Sequence, residues 1–538
     1  MANLTRSPFL VLLLSFLLGT LAFDDPLVEL DYGSFQGRYN AEYNISYFRK
    51  IPFGASTAGE NRFRAPQPPL PITNGTYNTD QPFDMCPQRT VNGSEDCLYL
   101  GLYSRPWTNS SALRPVLVVF YGGGFIQGSA SFSIPPPMYP VLNVSTANDI
   151  VIVYPNYRTN AFGFLPGKAV ADSPTADLNA GLLDQDAALR WVHANIAHFG
   201  GDPSRVAIQG QSAGGGSVVA QAIARGGETE PKLFRAALPG SPFWPKTYAF
   251  DAPEAEALYA GLVERVGCGG EGDALACLKR ADVQAVRNAS LAISGLRQYT
   301  TSSFNWGPVV DGEFLRTPLS EATRLNAEVA WSMFNTHEGE NFVPGGLGQA
   351  NGSNGFNSSD GFNSSEAGFE GWVRGYVPGF SDAQVERLKA LYPAAGEAEE
   401  AAWNTTTVRA GMVFRDSVLA CPGLWFAEAA GKGMGYLGEY TISPAKHGSD
   451  TQFWNQVNAV QKSQPLVYQG LAGAMASYFQ TGGEPNAHKL TDSSQAGVPE
   501  LTAGKEWVVK SNSFEQTDIT MLKARCAFWK GNARDIPL

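Results

Sequence analysis

A serine stands at the centre of a short glycine-bounded segment that could perform nucleophilic chemistry. Residues 210–214 read Gly-Gln-Ser-Ala-Gly, after an apolar run at 206–209 and before small residues at 213–220. A serine on a sharp turn between a strand and a helix exposes its hydroxyl, and the flanking glycines leave room for neighbouring backbone. Because the chain contains 58 glycines, the five-residue pattern alone is weak. The strand–turn–helix context is what predicts that Ser212 is a nucleophile.

A serine nucleophile needs a general base, and the positions of the five histidines narrow the choice. In hydrolases with this turn, an acid and then a histidine follow the nucleophile along the chain. His193 and His198 precede it and flank a predicted helix, and His488 lies in a polar stretch, so we expect all three at the surface. His447 lies in a loop after a strand-like stretch. It is the predicted base.

A carboxylate directly after the predicted strand 329–334 is the candidate for orienting that base. Residues 335–339 read Asn-Thr-His-Glu-Gly, which places Glu338 just beyond the strand. Such an acid would hold the tautomer of the histidine and stabilise its imidazolium without taking the proton. Glu340 is the competing carboxylate. His337 is a further titratable group that could perturb the site.

Alternating strands and helices must position these residues. The continuous apolar runs at 116–120 and 150–154 predict parallel strands buried on both faces. Between residues 181 and 199 the apolar positions fall on one face of a helix. Strands that alternate with helices predict an α/β fold, with a large and mostly parallel central sheet flanked by helices.

Two longer motifs resemble the signatures of the type-B carboxylesterase and lipase family, the cholinesterase-like α/β-hydrolases. The stretch 199–214, with its Phe-Gly-Gly start and its serine turn, matches the extended active-site signature. The stretch 95–100, Glu-Asp-Cys-Leu-Tyr-Leu, resembles the second signature and departs from it at Gly101, where Asp, Asn or Ser is usual. The resemblance covers nearly all of the chain after its N-terminal segment. It is strongest to secreted fungal carboxylesterases and implies an α/β-hydrolase fold.

The resemblance also implies roles for individual residues. Residues 121–125, Tyr-Gly-Gly-Gly-Phe, resemble the family's oxyanion loop, in which glycine lets backbone amides point at the substrate. By this resemblance the oxyanion donors are the amides of Gly123, Gly124 and Ala213. The family's Asn-X-Asp-Glu-Gly motif favours Glu338 as the acid, with His337 standing where Asp is common. Four aromatic residues lie where the family builds its acyl pocket: Phe243, Trp244, Phe304 and Trp306.

Six cysteines allow 15 disulfide connectivities. The pairings Cys86–Cys97 and Cys268–Cys277 are the simplest locally and match the family, which leaves Cys421 to pair with Cys526. No cysteine or histidine spacing fits a metal site, and acyl transfer by a serine requires no cofactor. We therefore expect neither a metal nor a cofactor.

The N-terminus predicts export. Arg6, an apolar run at 9–18 and Thr-Leu-Ala at 20–22 are typical of a signal peptide over residues 1–22. A membrane anchor is the alternative, but the run is short for a span. Residues 23–538 are expected to form one α/β-hydrolase domain with an exposed low-complexity loop at 351–368. Ten Asn-X-Ser/Thr sequons beyond the predicted signal peptide and an even cysteine count favour a secreted glycoprotein. The sequons begin at Asn44, Asn74, Asn92, Asn109, Asn143, Asn288, Asn351, Asn357, Asn363 and Asn404.

The net charge and the length of one loop limit the classes of substrate and partner that we expect. A net charge of -11 with no basic block argues against nucleic acid, and no other segment suggests stable membrane insertion. Only a short polar segment separates Cys86 from Cys97, where interfacial lipases of the family carry a long lid, and it lacks the tryptophan expected of a choline-binding enzyme. We expect hydrolysis of soluble, short- to medium-chain carboxylic esters. The alternatives are a lipase with a lid elsewhere, such as 351–368, and a non-catalytic cholinesterase-like binding protein; the oligomeric state stays open.

Overall fold

The computed structural model describes residues 23–108, 110–145, 149–295, 305–349 and 361–536. The predicted signal peptide, Phe304 and most of the predicted loop 351–368 lie outside these residues. At the end of that loop a helix already begins at Glu366, because the Ser365 side chain accepts a hydrogen bond from the Gly368 amide and caps its first turn.

An eleven-stranded sheet forms the centre of the molecule. The strands of the described chain are β1 (Leu27–Leu30), β2 (Gly33–Gln36), β3 (Arg38–Asn40), β4 (Ile45–Pro52), β5 (Thr76–Asn78), β6 (Tyr99–Ser104), β7 (Arg114–Phe120), β8 (Val151–Pro155), β9 (Gly201–Gln211), β10 (Ala236–Gly240), β11 (Val329–Asn335), β12 (Gly396–Ala398), β13 (Ala401–Trp403), β14 (Gly435–Tyr440), β15 (Lys505–Val509) and β16 (Phe514–Asp518). The order across the large sheet is β16-β15-β14-β11-β10-β9-β7-β8-β6-β4-β3. The strands from β15 to β8 in that order run parallel, and antiparallel strands flank them on both sides.

Helices cover the sheet. They are α1 (Tyr139–Val144), α2 (Asn160–Phe164), α3 (Lys168–Ala171), α4 (Ala180–Asn195), α5 (Ala213–Ile223), α6 (Pro253–Val266), α7 (Ala274–Arg280), α8 (Val283–Ser294), α9 (Glu366–Tyr376), α10 (Asp382–Leu391), α11 (Thr406–Arg415), α12 (Cys421–Ala429), α13 (Thr451–Trp454), α14 (Val460–Ser463), α15 (Pro465–Thr481) and α16 (Thr520–Gly531). No helix within the described ranges combines the length and the apolar character needed to cross a membrane.

Strand β7 shows how the sheet separates two hydrophobic cores. Val116 and Val118 join the core that contains residues of α4, α5 and α12, whereas Leu117 and Val119 join the core that contains residues of α15. Successive side chains of a strand point to opposite faces, so a strand covered on both faces must be apolar throughout. The prediction of buried parallel strands in an α/β fold is therefore confirmed. Strand β9 begins at Gly201, before the predicted run 206–209, because Gly201 already pairs with Arg114.

Three disulfides tie peripheral segments to this frame. The structure joins Cys86 to Cys97, Cys268 to Cys277, and Cys421 to Cys526. All three pairings agree with the sequence analysis, in which the two local pairings match the family and the third is what they leave. The third disulfide links α12 to α16 across 105 residues of sequence, so it fixes the C-terminal helix to the main core.

Candidate active site

Ser212 occupies a strained turn between β9 and α5. Its backbone angles are φ 62° and ψ -127°, in a region that residues other than glycine rarely adopt. The turn is held from β10, because the Ser212 amide donates to the Gly240 carbonyl at 3.0 Å. The Phe243 amide donates to the Ser212 carbonyl, also at 3.0 Å. The neighbouring backbone therefore maintains the strain and holds the serine at the end of the sheet.

The glycines around Ser212 are required by close backbone contacts. A Cβ atom on Gly210 would lie 2.3 Å from backbone atoms of Gly214, and one on Gly214 would lie 2.2 Å from the Phe120 carbonyl oxygen. Both distances are far below van der Waals contact. The turn can therefore close on itself at Gly210 and pack against the end of β7 at Gly214 only if both positions lack side chains.

A continuous chain of hydrogen bonds joins Ser212 to a histidine and a buried acid. His447 Nε2 lies 2.8 Å from Ser212 Oγ, and His447 Nδ1 lies 2.8 Å from Glu338 Oε2. Glu338 is fully buried, and its other oxygen accepts the Asn335 amide at 3.2 Å. The acid follows β11 and the histidine follows β14, and these strands are parallel neighbours in the sheet. Their carboxyl ends therefore meet beside the serine turn.

The competing carboxylate, Glu340, faces different partners. Its oxygens contact His337 Nδ1 at 2.9 Å and the ammonium group of Lys446. Partial burial raises the pKa of Glu340, but the hydrogen bonds from His337 and Lys446 outweigh burial, and the net pKa is lowered. Glu338, not Glu340, thus contacts His447. His337 is a partner of Glu340.

A second layer of polar groups, which the sequence analysis did not identify, supports the acid. Asn335 Nδ2 donates to Ser241 Oγ and to Asp450 Oδ1, both at 3.1 Å. Trp454 Nε1 donates to the other Asp450 oxygen at 2.9 Å. Burial raises the pKa of Asp450, and the hydrogen bonds from Asn335 and Trp454 oppose this rise. Residues 447–450 read His-Gly-Ser-Asp, so Asp450, three residues after His447, was the one available sequence signal for this layer.

The glycine loop after β7 lies against the serine turn. A Cβ on Gly122 would lie 3.0 Å from Ser212 Cβ. Gly123 and Gly124 have φ angles of 121° and 63°, which favour glycine. Among the described residues, the amides of Gly123, Gly124 and Ala213 donate no hydrogen bond to the protein. The structure thus brings three free backbone donors to the neighbourhood of Ser212 Oγ, where a developing negative charge could be bound.

The residues predicted for the acyl pocket do not share one environment. Phe243 stacks near Phe342 with ring centroids 6.5 Å apart, and Phe342 meets the His447 ring edge-on at 5.0 Å. Trp244 is fully buried in the same large core as Phe243. Trp306 belongs instead to a small separate core and donates its indole N–H to the Ser290 carbonyl at 3.0 Å. Phe342, an aromatic contact of the histidine, was not predicted.

The remaining histidines lie away from this site. His193, His198 and His488 are exposed, as expected for surface residues. In the part of the chain that the structure describes, no group of three or more His, Cys, Asp and Glu side chains is arranged to hold a metal ion.

Comparison with known proteins gives relatives with matching sequence. Secreted lipase 1 of Botryotinia fuckeliana is 32% identical over 303 residues, 50% of this chain and 52% of that protein. Lipase 5 of Diutina rugosa is 30% identical over 374 residues, 64% of this chain and 66% of that protein. Juvenile hormone esterase of Tribolium castaneum is 43% identical over 206 residues, 36% of this chain and 33% of that protein. The chain thus matches only a third to two thirds of the length of these relatives.

A solved structure and a family model extend the comparison over the whole domain. The crystal structure of Aspergillus niger EstA superimposes with a TM-score of 0.80 at 24% identity, covering 96% of this chain and 99% of that one. This likeness shows the α/β-hydrolase fold. The family model described as "Carboxylesterase family" matches residues 24–529. With that match across almost the entire described chain, the protein belongs to the carboxylesterase family.

Proposed function

We propose that this protein hydrolyses carboxylic esters through a covalent acyl-enzyme, with Ser212 as nucleophile, His447 as general base and Glu338 as the acid that orients it. The observation that carries the proposal is the pair of 2.8 Å contacts that joins Ser212 Oγ to His447 and His447 to Glu338. A serine hydroxyl is a weak nucleophile until a neighbouring base accepts its proton. The burial of Glu338 supports its role, since a dry carboxylate fixes the imidazole orientation most firmly.

Acylation would begin with attack of Ser212 Oγ on the ester carbonyl carbon, as the hydroxyl proton passes to His447 Nε2. The carbonyl oxygen becomes an oxyanion, for which the amides of Gly123, Gly124 and Ala213 are the proposed donors. Each such donor is worth about 2.7–4 kcal/mol of transition-state stabilisation. The imidazolium then gives its proton to the departing alkoxide, and the alcohol leaves. Glu338 stabilises the imidazolium but keeps its own charge.

Deacylation would repeat these steps with water. His447 Nε2 accepts a proton from the water, and the resulting hydroxide attacks the acyl carbon. The second tetrahedral intermediate collapses, His447 returns the proton to Ser212 Oγ, and the carboxylic acid product is released. No group beyond these side chains and backbone amides enters the proposed cycle.

We further propose secretion and a preference for soluble, short- to medium-chain esters. The segment between Cys86 and Cys97 supports this preference, because its Gln88 is buried against the glycine loop instead of projecting as a lid. Secretion follows from the predicted signal peptide and agrees with relatives named secreted lipase and secreted triacylglycerol lipase.

A lipase is the second candidate function. Lipase names recur among the relatives, including Lipase 5 of Diutina rugosa and Lipase 1 of Geotrichum candidum. The distinguishing property is activation at an oil–water interface. A lipase would turn over emulsified long-chain esters faster than dissolved ones, whereas the proposed esterase would not.

Hydrolysis of p-nitrophenyl esters of two to sixteen carbons, by the wild type and its Ser212→Ala variant, tests the proposal. We expect turnover of the shorter chains that is abolished in the variant. His488→Ala is a matched control, because that histidine is exposed and distant from the site in sequence; its activity should equal that of the wild type. Folded wild-type protein without turnover on any chain length would refute the proposal and favour a binding protein.

A further inference from the structure

The glycine loop at residues 122–128 closes on itself at its base. A Cβ on Gly123 would lie 2.3 Å from the Gln127 carbonyl oxygen, and one on Gly128 would lie 2.5 Å from that of Gly122. Gly128 also has a φ of 127°, which only glycine adopts easily. The two ends of the loop are therefore in direct backbone contact. A displacement of Gly128 must move Gly122 and Gly123, which lie beside Ser212.

A single side chain from the first disulfide loop holds that base. The Gly128 amide donates to Gln88 Oε1 at 2.8 Å, and Gln88 Nε2 donates to the Gly128 carbonyl at 2.8 Å. Gln88 is only 1% exposed. Both polar groups of Gly128 are thus paired with one amide, in the reciprocal pattern that neighbouring strands use.

The amide of Gln88 is itself held in one orientation. Its Nε2 also donates to the Cys86 carbonyl at 3.1 Å, and its Oε1 also accepts the Thr90 hydroxyl at 3.0 Å. A glutamine amide has two N–H donors and two oxygen lone pairs, and here all four are used. Since Gln88 is two residues from the Cys86–Cys97 disulfide, its backbone is also anchored.

We propose that Gln88 is a positioning residue for oxyanion binding: it fixes Gly128, and through the closed base of the loop it holds the Gly123 and Gly124 amides in register with Ser212. This inference rests on the proposed function. In this role the Cys86–Cys97 segment supports catalysis by holding the glycine loop in place. Gln88 itself does not contact the reacting atoms.

The expected effect is specific to the transition state. Removal of one oxyanion donor lowers kcat by about 10²–10³-fold, and a misplacement of about 1 Å costs on the order of 10²-fold. Gln88→Met keeps the length of the side chain but removes both bonds to Gly128. We expect it to lower kcat on the order of 10²-fold with KM changed by less than about threefold, because ground-state binding does not use the oxyanion donors.

An inhibitor and a matched variant separate positioning from simple packing. Ser212 Oγ adds to the carbonyl of a trifluoromethyl ketone to form a tetrahedral oxyanion. The affinity of this inhibitor should therefore fall in Gln88→Met by a factor similar to the loss in kcat. Arg287→Ala is the control. The Arg287 guanidinium donates to the Gln88 carbonyl at 2.7 Å and to the Val91 carbonyl at 3.0 Å, so it holds the same segment without touching Gly128. Its kcat and inhibitor affinity should match the wild type.

Hydrogen exchange of the peptide that covers residues 117–130 gives a readout independent of turnover. We expect faster exchange in Gln88→Met and unchanged exchange in Arg287→Ala. Gln88→Glu, which as a neutral buried acid keeps an acceptor for the Gly128 amide and one O–H donor for its carbonyl, serves if the methionine variant does not fold, and should show a smaller loss. An unchanged kcat in the Gln88 variants, or an equal loss in Arg287→Ala, overturns the inference. If the wild type has no turnover, the proposed function fails, and unchanged loop exchange in the Gln88 variants still overturns the positioning role.

Discussion

Replacement of Glu338 by glutamine is the most direct test of how the site uses its buried acid. In the wild type, Glu338 Oε1 accepts the Asn335 amide at 3.2 Å, and Oε2 faces His447 Nδ1 at 2.8 Å. A carboxylate accepts at both oxygens, but a carboxamide has one acceptor and one donor. Because the backbone N–H of Asn335 can only donate, it pairs with the carbonyl oxygen of the new glutamine. The NH₂ group must then face the histidine.

This orientation reverses the tautomer of His447. A donor opposite Nδ1 requires that atom to accept, so the ring proton moves to Nε2, where it faces Ser212 Oγ and cannot accept the serine proton. The same exchange in a serine protease triad lowers kcat by about 10⁴-fold, equivalent to about 5.4 kcal/mol of activation free energy. We expect a loss in kcat of that order for Glu338→Gln. The fold should persist, because the variant leaves no unpaired buried charge.

Steady-state hydrolysis of p-nitrophenyl butyrate, with active sites counted by an organophosphate titrant, measures this loss. Glu340→Gln is the matched control: it makes the same chemical change two residues away, on a carboxylate that faces His337 and Lys446. Its kcat should fall by less than about tenfold, since it leaves the tautomer of His447 unchanged. A Glu338→Gln loss below about tenfold, or a larger loss in the Glu340 variant, would refute the assignment of Glu338 as the orienting acid.

Two predictions concern stability. Burial raises the pKa of Glu439 to about 7 and that of the nearby Glu506 well above its ordinary value. The folded state therefore favours the protonated acids, and this preference adds to the free energy of unfolding. The added stability is complete below about pH 4.5 and declines as pH rises through 7. The Tm difference between Glu439→Gln and the wild type should therefore shift in favour of the variant from pH 5 to pH 8, and a pH-independent difference would contradict this. Replacement of Cys421 and Cys526 by serine removes the disulfide that joins residues 105 positions apart. This should lower the free energy of unfolding by about 2–5 kcal/mol. Urea denaturation measures the loss, and a variant that lacks only the Cys268–Cys277 disulfide is the comparison.

Local patterns in the sequence were sufficient to predict the serine turn and several buried strands of the sheet. The glycine spacing around Ser212, with a strand before it and small residues after it, reflects backbone contacts within a few residues, and β9 ends and α5 begins where that pattern predicts. The apolar runs that became β7 and β8 were readable for the same reason, because burial on both faces leaves no polar position. Chain order and the family resemblance then reduced the base and the acid to one main candidate each.

Contacts between distant segments could be identified only in the folded protein. The sequence alone could not exclude Glu340 as the acid that orients His447, because the two carboxylates lie only two residues apart. They are distinguished by the short helical turn at Glu338–Asn341, which points Glu338 inward and Glu340 toward Lys446. Asn335, Ser241 and Asp450 come from three separate segments, so the position of Asp450 near His447 in the sequence does not by itself predict the layer that they form.

The sequence was enough to predict the class of chemistry, because a serine turn and buried strands are properties of short segments. The structure determined which side chains meet: His447 reaches Ser212 across 235 residues, and Gln88 reaches Gly128 from a loop that no periodicity connects to it. Such meetings depend on the order of strands in the sheet and on the packing of loops at its edge. Neither is encoded in the spacing of any single motif.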